Sequence, residues 1–174
     1  MRRLVSVTLA CSAALLAPAA ASAAIACHGA GRLPAQLGPA AARAATLCVL
    51  NRERAAHGLR ALRLDGRLTS AAQGHSDDMV AHRYFAHESR SGATFSARIK
   101  HTGWTSHRRS WTVGENLGWA TGRATPRAIA AAWMRSAGHR ANILSGRFHV
   151  IGIGIASGTP TGDGGATYST DFGS

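Results

Sequence analysis

The hydrophobic period of this chain changes along its length, and that change limits the folds open to it. In residues 67–82, Leu68, Ala72, His75 and Met79 recur at steps of four, three and four, the spacing of one helix face. Residues 41–57 favour helix as well, with Leu47, Leu50 and Arg54 at helical spacing and Gly58 as the stop. A short helix is expected near residues 94–101, and Thr125-Pro126 supplies an N-cap and first turn for another through Arg135, ending near Gly138. The end of the chain reads differently. Val150, Ile151, Ile153 and Ile155, interleaved with Gly152 and Gly154, predict a strand, as do residues 167–172. Helices first and strands later, without βαβ alternation, predict a layered α+β fold on an antiparallel sheet.

The N-terminus predicts export. Arg2 and Arg3 precede an apolar stretch, residues 4–17, broken only by Ser6, Thr8 and Ser12. Pro18 and the small-x-small run Ala21-Ser22-Ala23 follow, the pattern of a cleaved signal peptide ending at Ala23. No other apolar run approaches membrane-spanning length, so no transmembrane anchor is expected. The expected organisation is a signal peptide at 1–23, an extended arm at 24–40 rich in Ala, Gly and Pro, and one domain at 41–174. Cys11 leaves with the signal peptide. Cys27 and Cys48 remain, an even pair in an exported chain, and are expected to form a disulfide between the arm and the first long helix.

The 174 residues carry 20 Lys+Arg against 8 Asp+Glu, a formal charge of +12, and Lys100 is the only lysine. Loss of Arg2 and Arg3 with the leader lowers that charge to +10. Such a balance predicts attraction to polyanions. No recognition helix or nucleic-acid module is visible, so anionic envelope polymers, acidic glycans and lipid headgroups are the expected partners and a specific nucleic acid is not. Residues 101–111 are the one local concentration of basic and aromatic side chains; because they lead into Glu115 they could border its cleft, but a solvated loop anchored to the core by Trp104 and Trp111 is the preferred reading.

Three short segments place His or Glu beside small residues, and all three read as loops. They are Tyr84-Phe85-Ala86-His87-Glu88-Ser89, Gly114-Glu115-Asn116-Leu117, and Ser136-Ala137-Gly138-His139-Arg140-Ala141-Asn142-Ile143-Leu144. In this order they resemble the CAP superfamily, the cysteine-rich secretory, antigen 5 and pathogenesis-related proteins, in its bacterial SCP-like extracellular form. The resemblance runs from about Leu47 to Gly173. It includes Asn51-Arg52-Glu53-Arg54, His75, Asp78, Met79, Trp133-Met134, Ile151-Gly152-Ile153-Gly154 and Tyr168-Ser169-Thr170-Asp171-Phe172-Gly173.

The resemblance implies a CAP-type α-β-α sandwich with a central antiparallel sheet and a surface cleft. In eukaryotic relatives that cleft holds two His and two Glu able to bind a divalent ion. By resemblance His87 and His139 stand for the two histidines and Glu115 for the first glutamate. The second glutamate is missing: its region reads Trp133-Met134-Arg135-Ser136, and no acid occurs between Glu115 and Asp163. Two imidazoles and a carboxylate that converge suit Zn²⁺ or a similar cation. The same residues could equally pin three loops together by charge-assisted hydrogen bonds. His87, Glu115, His139, Ser136 and Asn116 are the expected cleft residues, and no catalytic residue is assigned.

Elsewhere, the structural reading is preferred. His75 and His82 are read as satisfied core or boundary histidines, and Asp171 as a hydrogen-bonding rather than reacting group. The leading functional expectation is a secreted binding module whose cleft holds a divalent metal or a small lipid or glycan ligand. Its rival is a Zn-dependent, peptidase-like hydrolase using the same cleft.

Overall fold

The computed structural model describes residues 26–174, so the signal peptide expected at 1–23 and the first two positions of the arm lie outside the described residues. Ten elements follow in chain order: α1 (Pro34–Leu37), α2 (Pro39–Ala56), β1 (Arg63–Leu64), α3 (Gly66–Ala81), α4 (Phe95–His101), β2 (Val113–Thr121), α5 (Pro126–Arg135), α6 (Ala137–Ile143), β3 (Val150–Ser157) and β4 (Gly165–Gly173). The strands form one sheet in the order β1-β3-β4-β2. The α+β class and the sandwich are as expected. The sheet is antiparallel through its three long strands, β3 with β4 and β4 with β2. It is mixed overall, because β1 lies parallel to β3 through Arg63 and Leu64. The chain leaves β1 and returns to β3 only after four helices and β2, a connection long enough for a parallel pair.

Alternation along β3 sends two kinds of residue to the two faces of the sheet. Ile151 and Ile153 are fully buried in a core shared with Leu50 of α2, Ile129 and Trp133 of α5, Ile143 of α6, and Tyr168 and Phe172 of β4. Gly152 and Gly154 face α3 instead, and there the backbone of the helix lies directly on the strand. A Cβ on Gly152 would fall 2.0 Å from the carbonyl carbon of Leu68, and one on Gly154 2.3 Å from that of Ala72. Leu68 and Ala71 of α3, Ile99 of α4 and Trp104 make the smaller core on that side. Two helical layers therefore enclose the sheet, α3 and α4 on one face and α2, α5 and α6 on the other.

The local signals for α3, α4 and α5 hold. Asp65 caps α3 by accepting from the amides of Arg67 and Leu68, while Thr94 and Thr125 cap α4 and α5. Gly58, with φ +69°, follows the end of α2. The arm departs from expectation. Pro34 and Pro39 begin α1 and α2 rather than keeping the chain extended, because proline at the first helical position lacks only an amide hydrogen with no partner there. Two of the three expected loops are regular elements: Glu115 stands on β2 and His139 on α6. Cys27 and Cys48 are bonded, joining the arm to α2. Arg54, fully buried, donates to the carbonyls of Arg60, Ile143, Ser145 and Phe148 and so ties α2 to the approach to β3.

The glycines of the sheet and of α3 should respond oppositely to added methyl groups. Gly152→Ala should lose about 3 kcal/mol or more in urea unfolding, because backbone rather than a side-chain tip must move. Gly74→Ala, with nothing within 4 Å of its Cβ inside α3, should gain about 0.5–1 kcal/mol. Equal small effects at both positions would contradict the direct seating of α3 on β3.

Candidate functional site

Strand β2 forms one edge of the sheet, and side chains from both helical layers meet over it. Glu115 lies on the α3–α4 face, its side chain wholly buried. A bare carboxylate at such a depth would be strongly unfavourable, and two cations compensate it. Arg98 of α4 donates through Nη2 to Glu115 Oε2 at 2.6 Å. His87, in the loop after α3, donates through Nδ1 to Oε1 at 2.8 Å. Accepting that bond favours the imidazolium, so the pKa of His87 is pushed up, although burial opposes the shift.

Arg98 also organises the loop that carries His87. Its Nη1 donates to the carbonyls of His87 and Ala93 and to Ser89 Oγ, at 3.0–3.1 Å. His75 of α3, buried, holds the same loop by donating from Nε2 to the carbonyl of Ala86 at 2.9 Å. Burial, and then the positive Arg98, push its pKa down, in keeping with a neutral core histidine. His82 is exposed instead, beside Asp78 at the end of α3.

Asp171 is the least expected member of the cluster. On β4 it stands directly across from Glu115, fully buried, and neither of its oxygens has a hydrogen-bond partner in the described structure. Burial first, and the adjacent Glu115 charge second, push its pKa well above the ordinary carboxylate range, so it is held as a neutral acid. It does not hydrogen-bond a loop.

The other layer contributes His139 and Ser136. Both line a cleft of about 280 Å³ with Phe85, Leu117, Trp119, Ile129 and Trp133. Burial, then the neighbouring His87, lower the pKa of His139. Asn116 points to the same layer, opposite to Glu115 on the strand, but does not line this cleft. Its amide donates to the carbonyl of His139 and its carbonyl oxygen accepts from Asn142, so it positions α6 rather than lining the cleft. Residues 101–111 do not border the cleft either. Trp104 turns under them against Leu68 and donates to Asp65, and so carries the loop to the opposite end of α3.

Among the described residues no three His, Cys, Asp or Glu side chains come together as a metal-holding group. The chemistry of the donor set agrees. Both oxygens of Glu115 are already engaged, one by a guanidinium that adds a positive charge beside any incoming cation. The three implied ligands therefore do not make a three-donor site in this arrangement. What the arrangement does is fix His87 with one ring nitrogen turned inward, beside a cleft with aromatic walls.

Arg98 lies outside the motifs, and Asp171 falls within one of them but reads there as a hydrogen-bonding group. Arg98 was nevertheless detectable, because Phe95, Arg98, Ile99 and Thr102 follow helical spacing and set one cation on an apolar face. For Asp171 the signal is a lone acid inside a strand otherwise closed to water.

The sequence profile of the cysteine-rich secretory protein family matches residues 47–170. The chain is 39% identical over 110 residues to an uncharacterised Bacillus subtilis protein, YkwD, a match covering 63% of this chain and 40% of that one. Among solved structures, an extracellular protein of Bacillus anthracis containing an SCP domain superposes with a TM-score of 0.59 at 26% identity, covering 78% of this chain and 43% of the other. An outer surface protein of Borrelia burgdorferi gives the same TM-score at 20% identity, over 71% and 85% of the two chains, and shares the fold. The chain spans less than half the length of the two Bacillus proteins.

Two outcomes test this cluster. Arg98→Met should cost about 3–5 kcal/mol by stranding the Glu115 carboxylate, and adding Glu115→Gln should recover part of the loss. Additive losses in the double-mutant cycle would refute the pairing. Asp171 keeps its proton in the fold and releases it on unfolding above about pH 4, so it costs the native state stability as pH rises. Asp171→Asn should therefore match the wild type near pH 3.5 in thermal melts and gain on it as pH rises above about 4. A pH-independent difference would mean that Asp171 is ionised in the fold.

Proposed function

The chain belongs to the cysteine-rich secretory protein family, and we propose that it is an extracellular binding module whose cleft over β2 holds one small amphipathic ligand, a lipid or a glycan. The observation that carries this reading is the pairing of unlike walls. Phe85 is 46% exposed and Trp119 36%, and their rings meet edge to face at 6.5 Å beside the cleft. Exposed aromatic rings over a concave, mostly apolar surface suit an acyl segment or the apolar face of a sugar. Ser136 and His139 supply the polar end.

A volume of about 280 Å³ is at the small end for ligand pockets, so the occupant inserts one segment and leaves the rest outside. Secretion completes the proposal: the expected signal peptide and the extracellular relative support it. Among the described residues no helix is long and apolar enough to cross a membrane. Hydrolysis is not part of the reading. Glu115 is spent on holding His87 and Arg98, and no carboxylate lines the cleft to serve as a base.

Calorimetric titration with monomeric oleate and with a chitin oligosaccharide tests the reading. One of the two should bind with a single saturable site, and Trp119→Ala should weaken it about tenfold while leaving the melting temperature unchanged. Absence of binding by both, or binding indifferent to Trp119 and Phe85, would overturn it. Zn²⁺ titrated into wild type and His87→Ala should give indistinguishable heats; a heat lost in the variant would restore the metal site.

A further inference from the structure

Another cleft lies at the start of α3, has a volume of about 630 Å³, and shares no lining residue with the first. Its walls come from α3, with Arg67 and Ser70, and from the loop after α4, with Trp104, Ser106 and Arg108. Two arginines are held open across it. Arg67 donates through Nη1 to the carbonyl of Gly103 at 2.8 Å. Arg108 donates through Nε to the carbonyl of Trp104 at 2.9 Å and stacks on the indole at 4.1 Å. These bonds orient both guanidinium groups and leave their remaining N–H groups unused.

Neither arginine has a carboxylate partner, since the ion pairs among the described residues involve only Asp78 and Glu115 as acids. The one acid of the cleft, Asp65, is occupied by the amides of Arg67 and Leu68 and by the Trp104 indole. In a chain where positive charge is otherwise scattered, this is where it is both concentrated and preorganised.

We propose that this cleft is a docking site for a linear polyol-phosphate polymer, gripped between the guanidinium forks of Arg67 and Arg108. The chemistry of the walls selects among polyanions. A carboxylate has two oxygens in one plane, which a single fork satisfies. The oxygens of a phosphodiester are tetrahedrally disposed and can meet donors from both walls at once, the two forks and the hydroxyl of Ser106. Nucleic acid shares the phosphodiester but needs open aromatic faces for its bases. Here Trp104 is buried, with Arg108 over its ring. A bilayer would need an apolar wedge, and none of the exposed large hydrophobic side chains lines the cleft.

Synthetic poly(glycerol phosphate) is the probe, titrated into the purified chain at low salt. It should bind at least about tenfold more tightly than polygalacturonate, than oligodeoxythymidylate of matched charge, or than mixed phosphatidylglycerol–phosphatidylcholine vesicles. Tighter binding to any of these three would overturn the assignment. Arg67→Gln with Arg108→Gln should weaken the polymer at least about tenfold, whereas Arg52→Gln with Arg123→Gln, an equal loss of charge at exposed sites elsewhere, should cost less than about threefold. Equal losses would reduce the effect to bulk charge and defeat the proposal. Should the first pair shift the melting temperature, Arg67→Lys with Arg108→Lys keeps the charge and removes the forks. That pair should still lose most of the affinity, and full retention would count against the proposal.

Discussion

The fold rests on the absence of two side-chain carbons. Gly152 and Gly154 let the backbone of α3 settle onto β3 at a distance no other residue permits, and the rest of the site follows from that contact. With α3 so close, the row Gly152–Asp171–Glu115 across β3, β4 and β2 is sealed from water. Ser76 and Ser169 meet beneath the same helix at 3.0 Å. Glu115, once buried, requires a counter-ion, and α4 provides it in Arg98. Having been drawn inward to that carboxylate, Arg98 is in position to bind three acceptors of the loop after α3. His87 therefore owes its place to a packing constraint two strands away.

This chain of causes explains how the cluster copes with a missing acid. In the family pattern a second glutamate comes from the region occupied here by Trp133-Met134-Arg135-Ser136, and Trp133 instead fills the core with its indole donating to the carbonyl of Leu117. A second acid is still present, but it is Asp171, approaching Glu115 from the neighbouring strand. Two ionised carboxylates so close and so deep would repel one another in a medium of low polarity, and a single guanidinium cannot neutralise both. Keeping one proton on Asp171 resolves the conflict: net charge at the centre is that of one carboxylate facing Arg98 and His87. The arrangement is suited to holding a histidine still. It is poorly suited to surrendering Glu115 to a metal.

Much of this was legible in the residues, and the failures share a cause. The helical face of α3, the threonine caps of α4 and α5, the glycine-spaced β3 and the cysteine pair are local patterns, set by neighbours a few positions apart. His87, Glu115 and His139 were found by their motifs. Strand β2 was missed because Glu115 and Asn116 break the apolar alternation; their polarity is explained only by Arg98 and Asn142, which no local window contains. The shortness of α6 and its start two residues after α5 hid it within a motif that reads as a loop. Arg98 shows in its helical spacing although its partner does not, and the meeting of Asp171 with Glu115 needed the sheet register itself. Partners distant in sequence convert an unfavourable burial into a stable one, and sequence alone gives no sign of which partners meet.

The two clefts also divide the charges of the chain by kind. Over β2 the cations are consumed internally: Arg98 and His87 spend their donors on Glu115 and on loop carbonyls, which leaves a surface dominated by aromatic rings. At the start of α3 the acid is consumed instead, Asp65 being taken by two amides and an indole, while Arg67 and Arg108 keep donors facing solvent. Trp104 links the two outcomes. Its ring seals the smaller core against Leu68, its N–H satisfies one oxygen of Asp65, and its other face carries the stacked guanidinium of Arg108. A charge of +12 in the sequence is thus a poor guide to electrostatics until each cation is assigned a partner. Once they are assigned, Arg67 and Arg108 stand out at the start of α3 as cations held in place with donors to spare, and the aromatic cleft over β2 shares no lining residue with them.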